Sequence, residues 1–90
     1  TPDTDRFPCL RIAMEAGRQG GTVPAVMAAA DEIAVERFMA HDIPFTAIPA
    51  VIDAVLSQHQ RVDDPDLETV LGVDAWARQA ARSAAVGVST

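Results

Sequence analysis

The residues of this chain best suited to chemistry stand close together. Asp31 and Glu32 are adjacent, and Glu36 follows Glu32 one helical turn later, within the stretch MAAADEIAVERFM (27–39). Two carboxylates held in opposed environments can divide the roles of acid and base, but they need a cleft that separates those environments. Nothing in the neighbouring residues supplies one. Wound as a helix, Met27, Ala30, Ala34 and Phe38 form one apolar stripe, with Asp31 and Glu32 to either side of it. The acids therefore read as a solvated flank, with Glu32 or Glu36 reaching an arginine, either Arg37 or one on a neighbouring helix.

Two histidines are possible metal ligands: His41 beside Asp42, and His59 four residues before Asp63. Neither has a cysteine partner or an HExxH arrangement, so the ligand count falls short. Both read instead as residues at helix C-termini, where a protonated imidazole complements the dipole. Cys9 follows Pro8 at a helix start, a setting that can lower a thiol pKa. With no histidine near it in sequence, it reads as a small buried apolar residue. Trp76, in VDAWARQAAR, either fills space left by the alanines around it or anchors another domain, as interface aromatics do. Gly20 and Gly21 do not form a phosphate loop, because no strand precedes them and no GxGxxG pattern surrounds them. The residues on their own supply no catalytic, cofactor-binding or metal-binding set.

The composition narrows the classes further. Ninety residues, 49% of them hydrophobic, suit one folded domain that buries roughly two-thirds of the surface of its unfolded chain. A single cysteine cannot form an internal disulfide. The net charge is −6, from 13 acids and 7 basic residues that are all arginine. That balance repels a phosphate backbone and an anionic membrane surface alike, so nucleic acid and membrane are both excluded as partners. No apolar run approaches the length needed to cross a bilayer. The chain opens on TPDTDRFP without a methionine, which reads as a piece of something longer with residues 1–7 as incoming linker.

Helical punctuation positions these residues. Pro8 opens a first helix whose apolar stripe is Leu10, Ala13, Met14 and Gly17. Gly20-Gly21 gives a left-handed stop, and Thr22 then caps a second helix, with Pro24 in its first turn, that runs to about His41 before Pro44. Thr46 caps a third helix with Pro49 in its first turn and with Ile48, Val51, Ile52, Val55 and Leu56 as its apolar face. Asp64 restarts the helix with Pro65 at the first position, Gly72 interrupts it, and Asp74 caps a last helix over 75–86. No segment alternates with period two. The fold class is all-α, a bundle of four to five helices with short loops.

Taken in order, FPCLRIA (7–13), GGTVPAV (20–26), FMAHDIPFTAI (38–48) and DAWAR (74–78) closely resemble the C-terminal helical domain of the 1-deoxy-D-xylulose 5-phosphate reductoisomerase family, over residues 2–85. One stretch departs from the pattern. The family usually reads LNAANE where this chain has Met27, Ala28, Ala29, Ala30, Asp31 and Glu32, so both asparagine positions are changed.

The resemblance implies a parent enzyme of non-mevalonate isoprenoid biosynthesis, an oxidoreductase and isomerase of the bacterial cytoplasm. That enzyme makes 2-C-methyl-D-erythritol 4-phosphate with NADPH and a divalent metal, Mg²⁺ or Mn²⁺, and works as a homodimer. Residues 1–90 would be its single C-terminal domain, supporting the catalytic domain of the same polypeptide. The N-terminal NADPH-binding domain and the central catalytic domain lie outside this sequence. No catalytic, cofactor or metal residue carries over, and this chain alone would bind no cofactor and be inactive. The alternative is a stand-alone acidic helical interaction module with no enzymatic activity, whose grooves hold a partner helix.

Overall fold

A computed structural model describes residues 8–84. They form four α-helices, α1 (Pro8–Gln19), α2 (Val23–Met39), α3 (Ile48–Gln58) and α4 (Leu67–Ser83), with a 3₁₀ turn at Phe45–Ala47. No strand occurs among the described residues. The expected all-α bundle is what forms. The linker reading of residues 1–7, the side-chain readings of Cys9, Leu10 and Ala13, and the helix expected beyond residue 84 lie outside the described residues.

Helix α2 is the central element and packs against α1, α3 and α4, most extensively α4. Val26, Ala29, Ala30 and Ile33 line its inner side, where they meet Val51, Ile52 and Val55 of α3 and Ala77 and Ala81 of α4 in one core. The alanines on α2 and α4 let the two helices lie close. The ion pair Glu32–Arg78 and the hydrogen bonds from Arg37 to Ala81 and Ala84 advance together along both helices, so α2 and α4 run parallel. The expected α3 stripe holds: Ile48, Val51, Ile52 and Val55 are buried and Leu56 packs partly against the core.

Several local expectations are corrected. In α1 the buried residues are Ile12 and Ala16, while Met14 and Gly17 are exposed. Residues two apart on a helix point to nearly opposite sides, so the face that buries Ile12 turns Met14 outward. Helix α2 ends at Met39, just short of His41, which takes a left-handed conformation (φ 62°). The His41 N–H donates to the Phe38 carbonyl at 3.0 Å and the Asp42 N–H to the Arg37 carbonyl at 2.8 Å, so a Schellman turn stops the helix before Pro44 is reached. Thr46 caps nothing. Pro44 starts the 3₁₀ turn, the Ala47 N–H donates to its carbonyl at 2.9 Å, and α3 follows with Pro49 still in its first turn.

The last helix starts later than expected and is not divided. Asp64 has a left-handed φ of 46°, so the helix does not begin there. Asp66 caps instead, its Oδ1 accepting the Thr69 N–H at 2.7 Å. The Thr69 hydroxyl and, after it, that N–H hold the Asp66 carboxyl below its ordinary value. Gly72 does not interrupt α4, because a glycine inside a helix costs only about 1 kcal/mol relative to alanine. Asp74 lies within the helix and accepts from Arg78 Nε at 2.9 Å, so it is not a cap.

Candidate functional site

Three polar clusters and one groove hold the residues singled out above. In the first, Glu32 of α2 meets Arg78 of α4 at 3.0 Å, and Asp74 holds the same guanidinium from within its own helix at 2.9 Å. The hydrogen bond from Arg78 and its charge keep the Glu32 carboxyl below its ordinary value. A carboxylate fixed in this way stays ionised and is a poor general acid. Asp31, one residue earlier, is half-buried on the outer side of α2, and Glu36 is exposed. Neither forms an ion pair among the described residues. The three acids do not converge, and Glu32 has the neighbouring-helix arginine expected of it.

The second cluster was not visible in the sequence. Arg37 is mostly buried, and its Nη1 donates to the carbonyls of Ala81 at 2.9 Å and Ala84 at 2.8 Å, closing the C-terminus of α4. Asp42 holds Arg37 Nε at 2.6 Å across the Schellman turn and so aims the guanidinium. A cation at the negative end of a helix dipole satisfies carbonyls that have no partner within the helix.

The third cluster surrounds Thr22. Its side chain makes no helix cap, although Thr22 occupies the residue before α2. Its hydroxyl lies 2.7 Å from His59 Nε2, at the end of α3, and accepts the Val62 N–H at 3.0 Å. Trp76 of α4 tilts over the imidazole, with ring centroids 5.7 Å apart. Burial lowers the His59 pKa below 6.5, so the ring is neutral at pH 7, which corrects the expectation of a protonated imidazole there. Trp76 thus covers a histidine, while 37% of its surface remains exposed.

A hydroxyl beside a neutral imidazole is also the arrangement of an activated nucleophile. Here the hydroxyl is fully buried, at 0% exposure, and already engaged by Val62 N–H, so no substrate can reach it. The pair serves as a strut. Gly21 belongs to the same strut: its φ is +58°, and a Cβ there would stand 2.5 Å from the Val62 carbonyl oxygen. Arg61 completes it by donating from Nη1 to the Gln19 carbonyl at 2.6 Å.

The groove lies between α1, α3 and residues 59–61, with a volume of about 520 Å³. Arg11 and Arg61 face Glu15 and Asp53 around an apolar floor of Ile12, Ala16, Val23 and Leu56. Its charges cancel, so it selects no ion of either sign. Among the described residues no three His, Cys, Asp or Glu side chains lie close enough to hold a metal. His41 is exposed in the turn that follows α2.

Comparison with known proteins gives the family of the chain. Residues 1–80 match the family described as DXP reductoisomerase C-terminal domain. The 1-deoxy-D-xylulose 5-phosphate reductoisomerase of Moorella thermoacetica is 56% identical over 88 residues, covering 98% of this chain and 23% of the relative. The enzyme of that name from Nitrosomonas europaea is 56% identical over 82 residues, covering 91% of this chain and 20% of the relative. A solved structure of 1-deoxy-D-xylulose 5-phosphate reductoisomerase from Zymomonas mobilis in complex with NADPH superposes with a TM-score of 0.85 at 40% identity, covering 92% of this chain and 22% of that one. The chain thus spans between a fifth and a quarter of the length of these relatives.

Proposed function

The chain belongs to the DXP reductoisomerase C-terminal domain family, and from that membership we propose that it is the C-terminal helical bundle of a 1-deoxy-D-xylulose 5-phosphate reductoisomerase. The parent enzyme rearranges its substrate and reduces it to 2-C-methyl-D-erythritol 4-phosphate, with NADPH and Mg²⁺ or Mn²⁺, as a homodimer in the bacterial cytoplasm. Residues 1–90 are one domain, with 1–7 as the incoming linker. The NADPH-binding and catalytic domains lie in the remainder of the parent polypeptide, and this bundle braces the catalytic domain.

The observation that carries this reading is similarity along 98% of the chain to a reductoisomerase of which it covers only 23%. The side chains here do not fit either implied group. No three ligating groups converge among the described residues, and the glycine pair closes a helix-to-helix turn instead of opening a loop after a strand. None of these residues is therefore given a catalytic, cofactor or metal role. The stand-alone interaction module is not favoured, because relatives this similar carry the segment within a chain four to five times as long.

The test has two arms. The parent polypeptide, expressed from the reading frame that encodes this segment, should oxidise NADPH when given 1-deoxy-D-xylulose 5-phosphate and Mn²⁺. The 90-residue chain alone should match the buffer blank. A parent without turnover, or a reading frame that does not continue upstream through a nucleotide-binding domain, would overturn the assignment.

A further inference from the structure

Helix α2 carries apolar residues on two opposite sides, separated by Asp31 on one flank and by Glu32 and Glu36 on the other. Its inner side carries Val26, Ala29, Ala30 and Ile33, and its outer side carries Pro24, Ala28, Val35 and Met39. Those outer residues recur at spacings of four, seven and four, so they form one stripe. A surface helix ordinarily turns polar residues outward, so an apolar stripe opposite the core is unusual. Val35 is 41% exposed and Met39 69% exposed, and Phe45 of the 3₁₀ turn, 68% exposed, makes an edge contact with Phe38 of the same helix as the stripe. Leu67 and Leu71 on α4 are also exposed, and Leu67 is flanked in the chain by Asp66 and Glu68.

We propose that the α2 stripe of Ala28, Val35 and Met39, together with Phe45, is the surface buried against the catalytic domain of the parent polypeptide. This rests on the reading above that the parent is a reductoisomerase. At least three-quarters of each relative's chain lies outside the segment matched here, and covalent linkage presents that remainder at a high effective concentration. Asp31, Glu32 and Glu36 flank the stripe, so a second copy would set this acidic margin against itself in a chain of net charge −6. The matching surface is therefore an apolar patch with a cationic or hydrogen-bond-donating rim that meets Asp31.

Methionine oxidation in the intact parent tests this, read by peptide mass spectrometry after limited peroxide treatment. Met14, 37% exposed on α1, is the internal reference for Met39. Left bare, Met39 oxidises at least as fast as Met14. Docked, it should oxidise on the order of tenfold more slowly, since access governs the reaction. Val35→Glu in the parent should abolish that protection. Equal rates at the two methionines, or protection that survives Val35→Glu, would overturn the proposal. Protection lost on dilution would assign the stripe to a second copy and overturn it as well. Turnover of the same parent preparation with NADPH reports separately on the enzyme assignment.

Discussion

Thr22 and His59, 37 residues apart, are joined by a hydrogen bond of 2.7 Å that ties the start of α2 to the end of α3. The same hydroxyl accepts the Val62 N–H at 3.0 Å, and the Thr22 N–H donates back to the Val62 carbonyl at 3.1 Å. A single buried side chain thereby anchors the connection that leads into α4.

Thr22→Val keeps the shape of this residue and removes its hydroxyl. It leaves the Val62 N–H and the imidazole nitrogen without a partner, at a cost of roughly 1–3 kcal/mol for a buried unsatisfied group. Thr22→Ser should recover most of the loss. Urea denaturation of the domain measures both variants. A valine variant as stable as the native chain would mean that water replaces the hydroxyl.

The same contact predicts the acid profile. Burial lowers the His59 pKa in the folded state, so between its ordinary value of 6.5 and that lowered value the unfolded chain binds the extra proton. Stability therefore falls as pH drops below 6.5 and levels off once the folded state also protonates. Glu32 and Asp66 are shifted down by hydrogen bonds, and their contributions, present above their ordinary values of 4.5 and 3.8, are lost as pH falls further. Melting temperature against pH should show two steps, and His59→Gln should remove only the upper one. An unchanged upper step in that variant would place its origin in another group.

What the sequence made legible follows from the range of each interaction. The α3 stripe is a local pattern of period 3.6, and the turn at Gly20-Gly21 needs only the left-handed preference of glycine, so both could be read from neighbouring residues. Thr22 looked like a cap because Ser and Thr usually cap. Its actual partners, His59 and Val62, are set by how α3 and the following connection return to α2, and no local pattern records that. The α1 stripe failed for a related reason. Ile12 and Ala16 are apolar as well, and only packing against the rest of the bundle selects them over Met14 and Gly17. Of the candidate acids, a neighbouring-helix arginine for Glu32 was legible as a kind of partner, but Arg78 itself was not.

Arg37 provides the third prediction. Its guanidinium donates to the carbonyls of Ala81 in α4 and of Ala84 just after it, and is aimed by Asp42. Arg37→Lys keeps the charge but loses the planar fork. Arg37→Lys should therefore cost about 1.5–3 kcal/mol, the scale of hydrogen bonds made by a charged group. Asp42→Asn should cost less, because the carbonyl contacts remain. Glu32→Gln, at a pair with a largely exposed carboxylate, should cost the least of the three. Equal losses at Arg37 and Glu32 in thermal melts would show that the clasp adds nothing beyond surface charge.

The last prediction concerns α3. Ile52 and Val55 are both at 0% exposure, and they face α2 and α4 within the shared core. Truncating Ile52 to alanine removes buried methyl groups and leaves a cavity, at about 2–5 kcal/mol, and Val55→Ala should cost somewhat less. A domain of this length holds only on the order of 5–10 kcal/mol in total. Each kcal/mol shifts the midpoint of so small a domain by roughly 4–8 °C. Ile52→Ala should therefore lower the melting temperature by about 10 °C or more, while Asp53→Ala, one residue on and exposed, should leave it nearly unchanged. Calorimetry of the three variants settles the matter. A stable Ile52→Ala domain whose attachment to the rest of the parent had weakened would move the docking surface from α2 to α3, and would remove α3 from the core.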